Sequence, residues 1–154
     1  MPRIAHQPGR RALAMLALGA LLGPAIARAS KPPRLHAPDG VALGGHDAVA
    51  YMADGMPAAG EARFATEWGG ARWLFRSAEH RAAFLDMPDR YAPQYGGHCA
   101  WAMARGYLAP GDPLQWRVVA GRLFVNYDAA VHRRWLRDMP GFIAAADRNW
   151  PRFG

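Results

Sequence analysis

Two strand-like segments each close through a glycine turn onto a partner strand and then run directly into a capped helix. This arrangement constrains the fold more than any other feature of the chain. Residues 61–68 (EARFATEW) and 71–75 (ARWLF) are joined by Gly69-Gly70, which is a hairpin signal. Ser77 follows as a helix cap, with Glu79 in the first turn, where an acid suits the positive end of the helix dipole. His80, Phe84 and Met87 then recur at helical spacing and define one face. The pattern returns further along the chain. Trp116 to Ala120 and Leu123 to Tyr127 flank Gly121, Asp128 caps a helix, and Val131, Trp135 and Met139 form its stripe. Hairpins followed by helices predict an α+β fold: one small domain with two β-hairpins and several short helices, not a doubly wound parallel sheet.

With 17 glycines and 13 prolines, the rest of the chain is cut into short pieces. Asp47 caps a short helix through Met52. Pro88 ends the first long helix, and Gly96-Gly97 breaks the chain again. Residues 98–105 read as a short helix closed by Gly106, and Pro140-Gly141 sets off a last helix over 142–149.

Charge is distributed unevenly. The chain carries 19 Lys+Arg against 12 Asp+Glu, a formal net charge of +7. Residues 1–29 hold Arg3, Arg10, Arg11 and Arg28 and no acid, so the remainder has 15 basic and 12 acidic residues, a net +3. That excess gives little support for nucleic-acid binding. The same 29 residues have a basic start, an uncharged apolar run over 12–27, and Ala27-Arg28-Ala29 before Ser30. These are the parts of a secretory signal peptide, and Arg10-Arg11 gives it a twin-arginine character. The expected organisation is a signal over 1–29, an extended lead-in over 30–44 and a domain over 45–153, exported to the periplasm without a stable membrane span. One cysteine excludes an intramolecular disulfide framework and a multi-thiolate zinc cluster.

Residues 45–153 resemble the YHS-domain family, and within it the small exported bacterial proteins. The matching pieces are Gly45-His46-Asp47-Ala48-Val49-Ala50-Tyr51, the Trp68-Gly69-Gly70-Ala71 hairpin with Trp73 and Phe75, and Ser77-Ala78-Glu79. Further matches are Arg90-Tyr91-Ala92-Pro93-Gln94-Tyr95-Gly96-Gly97, Cys99-Ala100, Val125-Asn126-Tyr127 and Asn149-Trp150-Pro151. The resemblance implies a TRASH/YHS-like module, related to metal-binding domains. Metal-binding members carry cysteines at three places, which align here with Ala50, Arg76 and His80, so the family's cysteine site is not simply inherited. What remains is His80 at the third place and Cys99 in the Tyr95-to-Cys99 segment.

Cys99 is the leading candidate for chemistry. On a helix over 98–105, Cys99 and Met103 are neighbours one turn apart, and thiolate with thioether suits Cu(I). His98 adds an imidazole beside them, and His80 supplies another if the fold brings it near. The resulting expectation is a metal-binding accessory or carrier, copper favoured, working through Cys99, His98, Met103 and His80 rather than an enzyme. Its partners would be the metal ion and another envelope protein. Two alternatives stand beside it. Cys99 and Met103 can be core residues of a structural or interaction module. Alternatively, Cys99 can serve a redox or thiol enzyme, which needs an imidazole within about 3 Å and a third group, such as Asp47, to orient it.

Overall fold

A computed structural model describes residues 35–153. The proposed signal and residues 30–34 of the lead-in lie outside the described residues. The architecture is α+β, with two separate antiparallel hairpins and short helices around them. Strands β1 (Glu61–Trp68) and β2 (Ala71–Phe75) form the first hairpin. Strands β3 (Asp112–Val119) and β4 (Arg122–Asn126) form the second. The helices are α1 (Ala50–Ala53), α2 (Ala78–Asp86), α3 (Pro88–Tyr91), α4 (Ala100–Ala104), α5 (Ala129–Trp135) and α6 (Met139–Asn149). None of the helices among the described residues is long and apolar enough to cross a membrane.

The caps behave as their chemistry requires. Ser77 Oγ accepts from His80 N, and Asp128 Oδ1 accepts from Val131 N, each satisfying a donor of the first turn. Two boundaries differ from expectation. The helix after Cys99 begins at Ala100, with Cys99 itself in extended backbone as its cap residue. The last helix begins at Met139, because Asp138 caps it at Gly141 N and Pro140 sits in the first turn, where its missing N–H costs nothing. The lead-in is also not simply extended: it makes tight turns over Pro38–Gly40 and Ala42–Gly45 and buries Ala42 and Leu43.

The two hairpins are copies of one another in detail. Glu61 pairs with Phe75, a bulge follows, and pairing resumes from Ala65–Leu74 to Trp68–Ala71. Asp112 pairs with Asn126, a bulge follows at the same place, and pairing resumes from Trp116–Val125 to Val119–Arg122. The correspondence extends upstream. Leu43-Gly44 and Tyr95-Gly96 adopt the same left-handed turn, and His46 N and His98 N donate back to Leu43 O and Tyr95 O. Asp47 N donates to Ala58 O, as Cys99 N donates to Ala109 O. The chain is thus two structurally repeated units, each a Gly-Gly-His turn, a short helix, a hairpin and a capped helix.

At the hairpin turns, Gly69-Gly70 has its counterpart in Ala120-Gly121, all with positive φ. Such two-residue turns match the twist of the strands. Ala120 holds φ 49° with a Cβ, a conformation asparagine tolerates better. Ala120→Asn is expected to stabilise the fold by up to about 1 kcal/mol, read as a higher urea midpoint with an unchanged slope.

The core has two parts. The first gathers Leu43, Val49, Tyr51, Trp73, Phe75 and Phe84, with Leu123 and Val125 from the second hairpin. The second gathers Tyr95, Met103, Phe124, Trp135 and Ala146. Successive residues of a strand point to opposite faces, so β4 sends Leu123 and Val125 into one core and Phe124 into the other. The repeat therefore shares a wall.

Candidate functional site

In the first unit Asp47 is fully buried, and its carboxylate has four partners. Oδ1 accepts from Val49 N at 2.9 Å and Ala50 N at 3.3 Å. Oδ2 accepts from Arg76 N at 2.9 Å and lies 2.7 Å from His80 Nδ1. A buried carboxylate is tolerated when its oxygens are met in this way. The contact between Oδ2 and Nδ1 fixes the orientation of the His80 ring. The three positions that the YHS resemblance assigns to cysteines, Ala50, Arg76 and His80, therefore converge on one carboxylate. Two of them contribute backbone N–H groups and the third an imidazole.

In the second unit the same place holds Cys99. Its counterparts follow from the repeat: Cys99 for Asp47, Trp101 for Val49, Ala102 for Ala50, Tyr127 for Arg76 and Val131 for His80. Where Asp47 accepts from Val49 N, Ala50 N and Arg76 N, the counterpart Trp101 N donates to Asn126 Oδ1 and not to the sulfur. Val131, the counterpart of His80, faces a pocket. Cys99, itself buried, helps line this pocket of about 220 Å³ with Trp101, Tyr107, Ala109, Tyr127 and Val131. Arg105 lies over the Trp101 ring at 4.1 Å, and Tyr107 and Tyr127 are half exposed.

Burial pushes the Cys99 pKa above the ordinary thiol value, while the N–H groups of Ala102, Tyr127 and Trp101 pull it down and nearby Asp128 raises it. The net direction is upward, so at neutral pH the site holds a thiol. Because the folded value lies above the unfolded one, the stability this neutral thiol contributes is present below the unfolded pKa. It is lost as pH rises through the folded pKa. The side chain at hydrogen-bonding range of the sulfur is Asn126, with Oδ1 at 3.8 Å. Asn126 is itself fully buried, accepts from Trp101 N at 3.1 Å, and places Nδ2 3.1 Å from His132 Nδ1.

No family model, curated protein or solved structure matches the chain in comparisons with known proteins. The residues expected to share a site have different surroundings. Met103 is fully buried in the second core with Tyr95, Phe124 and Trp135 and does not line the Cys99 pocket. His98 is buried with its ring 5.3 Å from that of His36. His80 belongs to the Asp47 cluster of the other unit. Among the described residues no three His, Cys, Asp or Glu side chains form a group able to hold a metal ion.

Asp47 orienting a histidine was legible as a possibility; its partner is His80. Asn126, Tyr127 and Tyr107 were not foreseen. The signal for Asn126 is a polar residue closing the run Leu123-Phe124-Val125, at the position that Phe75 fills in the first unit.

Proposed function

We propose that this chain is a binding or carrier protein of the exported YHS type rather than an enzyme, with Cys99 as the one protein donor to its cargo and Cu(I) as the favoured cargo. The observation that carries the reading is that Cys99 lines a pocket, where the backbone N–H groups of Ala102, Tyr127 and Trp101 pull its thiol pKa down against the effect of burial. Such N–H groups stabilise a thiolate once its proton is displaced, and a thiolate is a soft donor suited to Cu(I). Met103, His98 and His80 are not needed in this reading. The remaining coordination comes from the ligand that delivers the ion or from the recipient protein, and an incomplete sphere favours hand-over. An enzymatic reading lacks support at the sulfur: an amide, Asn126, stands between Cys99 and His132, and an amide does not take up a thiol's proton.

The test is a Cu(I) titration of the reduced protein against a competing chelator, with Cys99→Ala and Cys99→Ser alongside. One-to-one binding that both variants lose, while their thermal unfolding remains cooperative, is the expected result. Binding by the variants equal to that of the parent overturns the reading. An absence of binding by the parent does so too, and leaves Cys99 as a packing residue of an interaction module. Because the metal must displace the thiol proton, apparent affinity is expected to rise with pH by about tenfold per unit below the Cys99 pKa. A flat pH profile would point to neutral donors instead.

A further inference from the structure

A second pocket lies away from Cys99, between the two units, and nothing in the carrier reading uses it. Its volume is about 250 Å³, and its walls include Leu35, Trp68, Asp89, Pro93, Tyr95 and Trp150. Trp68 ends β1 of the first unit, Trp150 follows α6 of the second, and Asp89 comes from α3. The two indoles are half buried, while the Asp89 side chain is exposed. Neighbouring rings hold both indoles in place. Trp68 meets Trp73 and Phe84 edge-on at 5.7 and 5.6 Å, and Trp150 meets Tyr95 edge-on at 6.0 Å. Walls fixed by packing lose little freedom when a ligand enters.

The wall chemistry selects a class of ligand. Indole faces carry negative electrostatic potential and attract cations, most strongly those that shed water easily, such as methylated ammonium groups. A carboxylate at the same pocket supplies the opposite charge, and among the described residues no lysine or arginine lines it. Arg122 donates to Gln94 Oε1 of the pocket wall at 3.0 Å. Its charge is already met by Asp147, at 3.0 and 2.7 Å. The geometry points to a binding site for a small organic cation, a quaternary or methylated ammonium compound, with its head group against Trp68 and Trp150 and its charge balanced by Asp89. The site is independent of Cys99, and its occupant is not a metal.

Calorimetric titration of the protein with choline, and with its neutral isostere 3,3-dimethylbutanol, tests this directly. Saturable binding of choline, at least tenfold weaker for the neutral compound, is the expected result. Trp150→Ala is expected to lose at least tenfold in affinity. Because Trp150 also packs on the second core, Asp89→Asn provides the exposed second variant, with an expected loss of about threefold or more. The proposal is overturned if choline gives no saturable heat up to about 50 mM, well beyond the millimolar range of weak sites. It is equally overturned if the neutral isostere binds as tightly or if Asp89→Asn leaves choline affinity unchanged. Sedimentation with phosphatidylcholine but not phosphatidylglycerol vesicles would assign the same cation to a lipid head group, whereas binding of free choline alone assigns it to a soluble compound.

Discussion

Asp47→Ala is expected to cost about 3–5 kcal/mol of stability, a large part of what holds a domain of this size together. The reason is what the carboxylate leaves behind. Val49 N, Ala50 N and Arg76 N each lose an acceptor in a buried site, and His80 loses the group that orients it. An unsatisfied buried donor costs about 1–3 kcal/mol, and the groups here are close enough that their losses do not simply add. The same cluster ties α1 to the start of α2 and to the end of β2, so the first unit loses a tertiary tie as well as a charge. Urea unfolding of Asp47→Ala beside Asp47→Asn measures the effect. The asparagine variant keeps one acceptor and the same shape, and its loss is expected to be smaller. A cost below about 1 kcal/mol for alanine would mean that the cluster is incidental to stability.

The second prediction moves the first unit's solution into the second. Cys99→Asp places a carboxylate at the counterpart of Asp47, near the backbone N–H groups of Ala102 and Tyr127, but with Trp101 N donating to Asn126 and Val131 where the first unit has His80. The buried charge lacks its imidazole, and Asn126 Oδ1 faces it, so a loss of about 2–4 kcal/mol is expected. Val131→His supplies the missing partner. In the double variant about 1–3 kcal/mol of that loss is expected to return as a favourable coupling in a double-mutant cycle. The single variant Val131→His gives the baseline for the cycle. Purely additive costs would show that the two nests are alike in backbone only.

Much of the fold was legible. Both hairpins, the Ser77 and Asp128 caps and the closure of α4 near Gly106 follow from local rules: turn residues, alternation and capping oxygens within a few residues of their targets. The start of α6 was missed because Pro140 reads as a breaker in sequence, whereas a proline in a first turn is harmless. The depth of the repeat was also missed, although its marks are in the chain. Gly44-Gly45-His46 recurs as Gly96-Gly97-His98, and Asp86-Met87-Pro88 as Asp138-Met139-Pro140. The candidate site was legible only at Cys99. Which side chains share a point in space is decided by tertiary packing, and that packing sends Met103 into a core and His80 to a carboxylate many residues away. The expectation of a Cys99–Met103 pair assumed that Cys99 lies inside the helix. As a cap residue in extended backbone, it turns its sulfur toward Asn126 and the pocket instead.

The shared backbone of the two units has a further consequence. One copy has its nest filled from within, by a carboxylate and an imidazole that the chain itself supplies. The other holds a smaller, neutral and equally buried side chain there, beside a pocket. A duplicated motif can in this way divide its labour. Substitutions around the second copy's pocket leave the first copy's anchor untouched, so one half is free to vary while the scaffold that presents it stays intact.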